Sequence, residues 1–179
     1  MLELNEKTLE SEKIFSGKII QVRVDKVLLP DGRQSTREIV DHADAVAVVP
    51  VDNDNNIWMV RQYRKAIEQA ILEIPAGLLE EDEEPLKGAQ RELVEETGLR
   101  AEAWKKVLSY YTTAGFSNEK IHIYLARDLV IGETNPDKDE FLLVEKVPLA
   151  KAYDYIFTGK IIDGKSIIGI QYLYHLTNR

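Results

Sequence analysis

Gly77-Leu78-Leu79-Glu80-Glu81-Asp82-Glu83-Glu84-Pro85-Leu86-Lys87-Gly88-Ala89-Gln90-Arg91-Glu92-Leu93-Val94-Glu95-Glu96-Thr97-Gly98-Leu99 is the stretch on which the reading of this chain turns. Proline suits the first helical position and glycine the residue just past the end, so a helix is predicted over 85–97. Leu86, Ala89 and Leu93 fall on one stripe, the face expected to be buried. Glu92, Glu95 and Glu96 are three and four residues apart, so their carboxylates project together from another side. Like charges at that spacing cost a helix a few tenths of a kcal/mol per pair. The apolar stripe fixes where these acids point, and their repulsion calls for a partner. A hard divalent cation is one, since Mg²⁺ takes a few carboxylate oxygens together with waters and substrate phosphates. For the helix taken alone, a solvated acidic face with Arg91 offsetting Glu95 is the plainer account.

Upstream of this stretch, Ile71 to Ile74 is short and extended and closes on Pro75-Ala76-Gly77. Ile57 to Tyr63 is a predicted strand, preceded by the turn Asp52-Asn53-Asp54-Asn55-Asn56. Ala45 to Val51 contains no charge, as expected of a strand covered on both faces. Residues 1–42 look separable. Lys18 to Leu29 alternates, Pro30-Asp31-Gly32-Arg33 is a turn, and Gln34 to Val40 is extended again. A sheet of two or three strands is too small to stand alone in water, so it must pack on the remainder or on a second copy. Downstream, strands are predicted at Val107 to Thr113, Ile121 to Arg127 and Phe141 to Val147, and helical spacing at Leu149 to Phe157 and Ser166 to Leu176. Mixed strands flanked by helices indicate an α/β or α+β sandwich.

Composition narrows the function. The 179 residues include no cysteine, which removes disulfide scaffolds, zinc ribbons, iron–sulfur centres and cysteine nucleophiles. No apolar run approaches the ~18 residues of a membrane span, and residues 1–7 lack the apolar stretch of a secretory signal. A cytoplasmic protein without a membrane partner is therefore expected. The net charge of −8 argues against binding a nucleic acid polymer. It leaves room for a small phosphorylated ligand, because metal and a few arginines reverse the local field.

Gly77, Glu83, Arg91-Glu92-Leu93, Glu95-Glu96, Gly98 and Leu99 together resemble the Nudix box at every specified position. Such a match is far more specific than a lone glycine motif. The resemblance implies a Nudix-type α/β/α sandwich with a mixed sheet over residues 43–179, preceded by a small antiparallel β-sheet over 1–42 that pairs subunits into a homodimer. It implies hydrolysis of a nucleoside diphosphate linked to another moiety, with Mg²⁺ or Mn²⁺ and more than one ion per site. Glu92 and Glu96 would ligate metal, Glu95 would assist them at the metal and serve in catalysis, and the Ala76 carbonyl would add a ligand. Arg91 would hold the glutamates and Glu83 would support the loop. The physical logic agrees: a pyrophosphate brings about two negative charges into an acidic site, so cations must bridge it before water attacks.

Outside the box the chain resembles the ADP-ribose pyrophosphatase branch. The markers are Arg37-Glu38, Arg61-Gln62-Tyr63-Arg64, Leu72-Glu73-Ile74-Pro75-Ala76-Gly77 and Tyr110 to Gly115, followed by Phe116-Ser117-Asn118-Glu119. By position, Arg37 and Arg64 would clamp the phosphates or the adenosine end, Phe15 would stack near the base across a dimer, and Glu73, Gly115 and Glu119 would join the substrate site. Ala114 departs from the branch, which usually has proline there. Asp137-Lys138-Asp139-Glu140 lies where the branch carries its catalytic loop, so Glu140 is the expected base, with Asp139 and then Glu119 behind it. The implied reaction takes ADP-ribose to AMP and ribose 5-phosphate. The alternatives are another nucleotide-sugar such as GDP-mannose, a dinucleotide, or a Nudix-fold regulator that binds without turnover.

Gly159-Lys160-Ile161-Ile162-Asp163-Gly164-Lys165-Ser166 matches the spacing of a P-loop. A P-loop must leave a strand and enter a helix. Here the preceding segment reads as helix, so the stretch is expected to be a helix–helix connection. His42, His122 and His175 are dispersed and offer no pair at ligand spacing.

Overall fold

The computed structural model describes residues 4–132 and 141–178. Glu133 to Glu140, which include the expected bases Asp139 and Glu140, lie outside the described residues. The chain divides into two compact units, residues 1–44 with 110–120 and residues 45–109 with 121–179.

The first unit is built on three antiparallel strands, β1 (Lys7–Ser16), β2 (Ile20–Leu28) and β3 (Gln34–His42), in the order β1-β2-β3. Gly32, with φ +85°, occupies the left-handed region in the turn between β2 and β3, a conformation that costs glycine nothing. Every residue of β1 is exposed, so β1 is held by its ladder to β2 rather than by burial. The segment 112–119 is fastened to β3. Val40 N–H donates to Phe116 O at 2.8 Å, His42 N–H to Asn118 Oδ1 at 2.9 Å, and Asn118 Nδ2 to Asp41 Oδ1 at 3.1 Å.

The second unit carries two sheets. One has the order β10-β5-β6, from β5 (Asn56–Arg64), β6 (Gln69–Glu73) and β10 (Leu143–Pro148). The other has the order β7-β4-β9-β8, from β4 (Ala45–Pro50), β7 (Ala76–Leu78), β8 (Leu99–Tyr111) and β9 (Lys120–Ile131). β4 pairs parallel with β9 and antiparallel with β7, which makes this sheet mixed. All six residues of β4 are buried, as its uncharged run requires. The helices are α1 (Pro85–Thr97), α2 (Leu149–Phe157) and α3 (Gly164–Thr177). Ala89 and Leu93 of α1 are fully buried in a cluster with Val46, Val48, Leu99, Tyr124 and Ala126, with Leu86 packed against it. That burial, at ~25 cal/mol per Å² of apolar surface, fixes the rotation of α1 about its axis and so the direction of its acids.

The helix has the ends the sequence indicates: Pro85 opens it, and Gly98, with φ +68°, closes it by donating its N–H to Val94 O. Other boundaries move. β8 begins at Leu99 rather than Val107, because Leu99 and Ala101 belong to the α1 cluster and extend the strand back to the helix end. β1 and the three-residue β7 are elements without a periodic signal of their own. Residues 158–163 do connect two helices, so the P-loop spacing has no strand before it. No helix among the described residues is long and apolar enough to cross a membrane.

Candidate active site

The site is organised by Arg91, at mid-helix on α1. Nε and Nη2 donate to Glu83 Oε1 and Oε2 at 3.0 and 2.9 Å, and Nη2 also donates to Leu78 O at 3.0 Å. Nη1 donates to Glu92 Oε1 at 2.6 Å and to Glu95 Oε2 at 2.9 Å. These five bonds use all five N–H donors of the guanidinium, which no lysine could reproduce. Glu83, then Glu92 and Glu95, hold Arg91 firmly charged, its pKa raised above the ordinary value against the opposing pull of burial. The Arg91 hydrogen bonds hold the Glu83 carboxyl below the usual carboxylate range. Glu83 also accepts from Glu80 N–H at 3.1 Å, which closes the loop before the helix.

Glu92 and Glu96 are buried, at 8% and 3% exposure, whereas Glu95 is half-buried. Glu96 Oε2 accepts from Ala76 N–H at 2.9 Å. Val48 N–H donates to Pro75 O at 2.9 Å, so residues 48 and 75 occupy a hydrogen-bonded position of the β4–β7 ladder. Alternation then makes Ala76, opposite Ala47, a non-hydrogen-bonded position, with its N–H and carbonyl both turned away from β4. A Cβ on Gly77 would stand 2.1 Å from Glu92 Cδ and Oε1 and 2.3 Å from Oε2. Only glycine lets that carboxylate lie on the β7 backbone.

These donors are hard oxygens, suited to Mg²⁺ or Mn²⁺ rather than to a soft metal. Among the described residues no three His, Cys, Asp or Glu converge into a group able to hold an ion unaided. Mg²⁺ is commonly held by one or two carboxylates, with water and substrate phosphate completing the shell. A cation shared with a bound diphosphate fits this arrangement.

Beside α1 lies a second row of charges; the sequence marks Arg64 and Glu73 for the site but not their linkage to Lys165 and Asp163. Glu73, at the end of β6 and 1% exposed, accepts from Arg64 Nε at 2.6 Å, from Arg64 Nη2 at 2.8 Å and from Lys165 Nζ. Lys165 Nζ is also 3.0 Å from Asp163 Oδ1. Burial pushes the Glu73 carboxyl up, but Arg64 and Lys165 outweigh it and hold it below the usual range. Glu73 in turn raises the Arg64 guanidinium, and Glu96 and Asp163 act on it in the same direction. Asp163 caps α3 by accepting from Ser166 N–H at 3.0 Å and Ser166 Oγ at 2.5 Å, while Ser166 Oγ accepts from Ile74 N–H at 2.8 Å. The lysine and serine of the P-loop spacing are thus engaged inside the protein. Their one signal in the sequence is an Asp three residues before a Ser, the pattern of a capped helix start.

The other expected site residues belong to the first unit. Phe15 is exposed on β1. Arg37 forms a fork with Glu6 and donates from Nη1 to Ser35 Oγ and Thr36 O, so a phosphate there has to displace Glu6. Glu119 accepts from Thr112 Oγ1 at 2.6 Å and lies 3.5 Å from His42 Nδ1. A Cβ on Gly115 would meet nothing within 4 Å. In the second unit, Ser109 Oγ and His122 Nδ1 lie 2.7 Å apart.

Comparison with known proteins agrees with this geometry. Residues 41–166 match the NUDIX domain, and residues 6–40 match the nucleoside diphosphate sugar hydrolase N-terminal domain. The chain is 46% identical to an ADP-ribose pyrophosphatase of Bacillus subtilis, covering 97% of this chain and 95% of that protein. It is equally 46% identical to a methanol dehydrogenase activator of Bacillus methanolicus, covering 94% and 92%. A crystal structure of an ADP compounds hydrolase superposes with a TM-score of 0.87 at 21% identity, covering 97% of this chain and 94% of that one, a likeness of fold. With the box complete from Gly77 to Leu99 and the domain match spanning most of its length, the chain belongs to the Nudix family.

Proposed function

We propose that the protein hydrolyses ADP-ribose to AMP and ribose 5-phosphate. Water attacks one phosphorus, the bridging P–O bond breaks, and two protons are released as both products ionise to phosphate monoester dianions. The observation that carries this is the Arg91 hub, which holds two acids of α1 beside a third tied to the Ala76 backbone. Glu92, Glu95, Glu96 and the Ala76 carbonyl would hold Mg²⁺ or Mn²⁺, more than one ion per site. Bound divalent ions supply charge neutralisation of the diphosphate and a more acidic water.

The chain's own groups do the rest. Arg91 orients Glu92 and Glu95, and the Ala76 N–H orients Glu96. Arg64 offers a guanidinium to the phosphates, with Glu73 acting through it rather than on substrate. Arg37, released from Glu6, serves the phosphates or the adenosine end. Phe15 stacks on the base, Gly115 and Glu119 line the substrate site, and Glu140 takes the proton from water. Residues 1–42 pair two subunits, a role that suits the exposed Leu9, Ile14, Phe15 and Ile19 of this region. A chain without cysteine suits the reducing cytoplasm.

The test is incubation with Mg²⁺ and a panel of ADP-ribose, GDP-mannose and dinucleotides, with AMP and phosphosugar followed by chromatography. Release of AMP and ribose 5-phosphate in preference to the other products supports the proposal, and preference for GDP-mannose or no turnover contradicts it. Light scattering tests the subunit pairing, and a monomer at micromolar concentration contradicts it.

A further inference from the structure

Arg64, Glu73, Lys165 and Asp163 form an alternating row of charges that begins at a half-exposed guanidinium and ends in a helix cap. The Glu73 and Lys165 side chains are 1% and 10% exposed, against 40% for Arg64. Arg64 spends Nε and Nη2 on Glu73, and its Nη1 makes no hydrogen bond among the described residues. Had Glu73 only Arg64 as counter-ion, the guanidinium's charge would be consumed, since a buried carboxylate cannot be left uncompensated. With Lys165 on the same carboxylate, the pair Glu73–Lys165 is already neutral. Arg64 is then free to present its charge outward. Asp163 draws part of the Lys165 charge back, and it is itself steadied by the Ser166 N–H at the positive end of α3.

We propose that Lys165 is a positioning residue that acts through Glu73 to set how much positive charge Arg64 presents to an incoming diphosphate. The P-loop-like spacing of Gly159 to Ser166 thereby serves phosphate binding at one remove, without touching phosphate. The proposal rests on the assignment of Arg64 as a phosphate partner made under the proposed function.

Steady-state kinetics with Mg²⁺ and ADP-ribose test it. Lys165→Met should raise KM roughly tenfold with kcat within about threefold, and Lys165→Arg should restore KM. In an Arg64→Ala background, Lys165→Met should add no further rise. Asp163→Asn supplies the opposite sign: asparagine caps a helix as well as aspartate, so the fold is retained, and releasing Lys165 from its second acid should lower KM severalfold. A loss confined to kcat, an equal effect with and without Arg64, or an unchanged or raised KM in Asp163→Asn overturns the proposal. Should Lys165→Met not fold, the Asp163→Asn result decides alone.

Wild-type turnover separates this from the substrate assignment. If the wild type leaves ADP-ribose intact, the substrate assignment fails. The same variants are then compared by calorimetric binding of Mg²⁺ with inorganic pyrophosphate, with the same directions expected in Kd. No pyrophosphate binding by the wild type overturns both.

Discussion

The backbone at Gly77 is not in the left-handed region; the glycines that are, Gly32, Gly98 and Gly159, lie elsewhere. Alanine at 77 is therefore free of backbone strain, and its one conflict is with Glu92. The added Cβ would stand 2.1 Å from that carboxylate, where ordinary contact begins near 3.4 Å, so the acid has to retreat by about 1.3 Å. A misplacement of about 1 Å at a reacting centre costs on the order of 100-fold in rate. Stability should respond little. Gly→Ala at a compatible backbone gains about 0.4–1 kcal/mol from the unfolded chain, and weakening without breaking the largely buried Arg91–Glu92 bond costs about 1 kcal/mol. The melting temperature of Gly77→Ala should thus stay within about 4 °C of wild type, while kcat/KM falls about 100-fold. Calorimetry and initial rates on the same preparation measure both. A variant retaining more than half of the wild-type kcat/KM would refute the reasoning. So would a further 100-fold loss when Gly77→Ala is placed on Glu92→Gln, where little should remain to lose.

Other outcomes follow from the same geometry. Arg91→Lys should lower kcat by about 100-fold, since three rotatable donors cannot satisfy Glu83, Glu92, Glu95 and Leu78 O together. It should also destabilise by about 2 kcal/mol, below the 3–5 of a fully buried pair because 26% of the Arg91 side chain is exposed; urea unfolding checks this. Glu73 and Glu83 have folded pKa values depressed below 4.5. Their stabilisation is present above the unfolded value and is lost as pH falls through the folded values. The melting temperature should drop steeply below pH 4.5, and Glu73→Gln should flatten that fall. Glu140→Gln should reduce kcat by about 10²–10⁴-fold with KM little changed, and unchanged kcat removes Glu140 as the base.

The helix that carries the acids was legible because its signals are local: Pro85 and Gly98 bound it, and Leu86, Ala89 and Leu93 orient it. The Arg91 contacts were legible in kind for the same reason, as Glu92 and Glu95 are one and four residues away. The charged row was not. Glu73 and Lys165 are 92 residues apart, and neither residue type indicates that α3 brings its N-terminus onto the end of β6. The spacing from Gly159 to Ser166 marked a polar helix start but not its partner. A third N-terminal strand was allowed for but β1 could not be placed, because a strand exposed at all ten residues shows no alternation; its order comes from pairing with β2. The fastening of 112–119 was hidden likewise, since Asn118 reaches Asp41 across 77 residues.

Glu96 bears most directly on whether the acids of α1 hold cations for diphosphate cleavage. Glu96→Gln keeps an amide oxygen to accept from the Ala76 N–H and so should fold like the wild type, while removing one charged oxygen donor. Mn²⁺ titration by electron paramagnetic resonance, run beside AMP release from ADP-ribose, should show weakened ion binding and the loss of most activity together. Wild-type turnover and wild-type Mn²⁺ affinity in a folded Glu96→Gln protein would contradict the account.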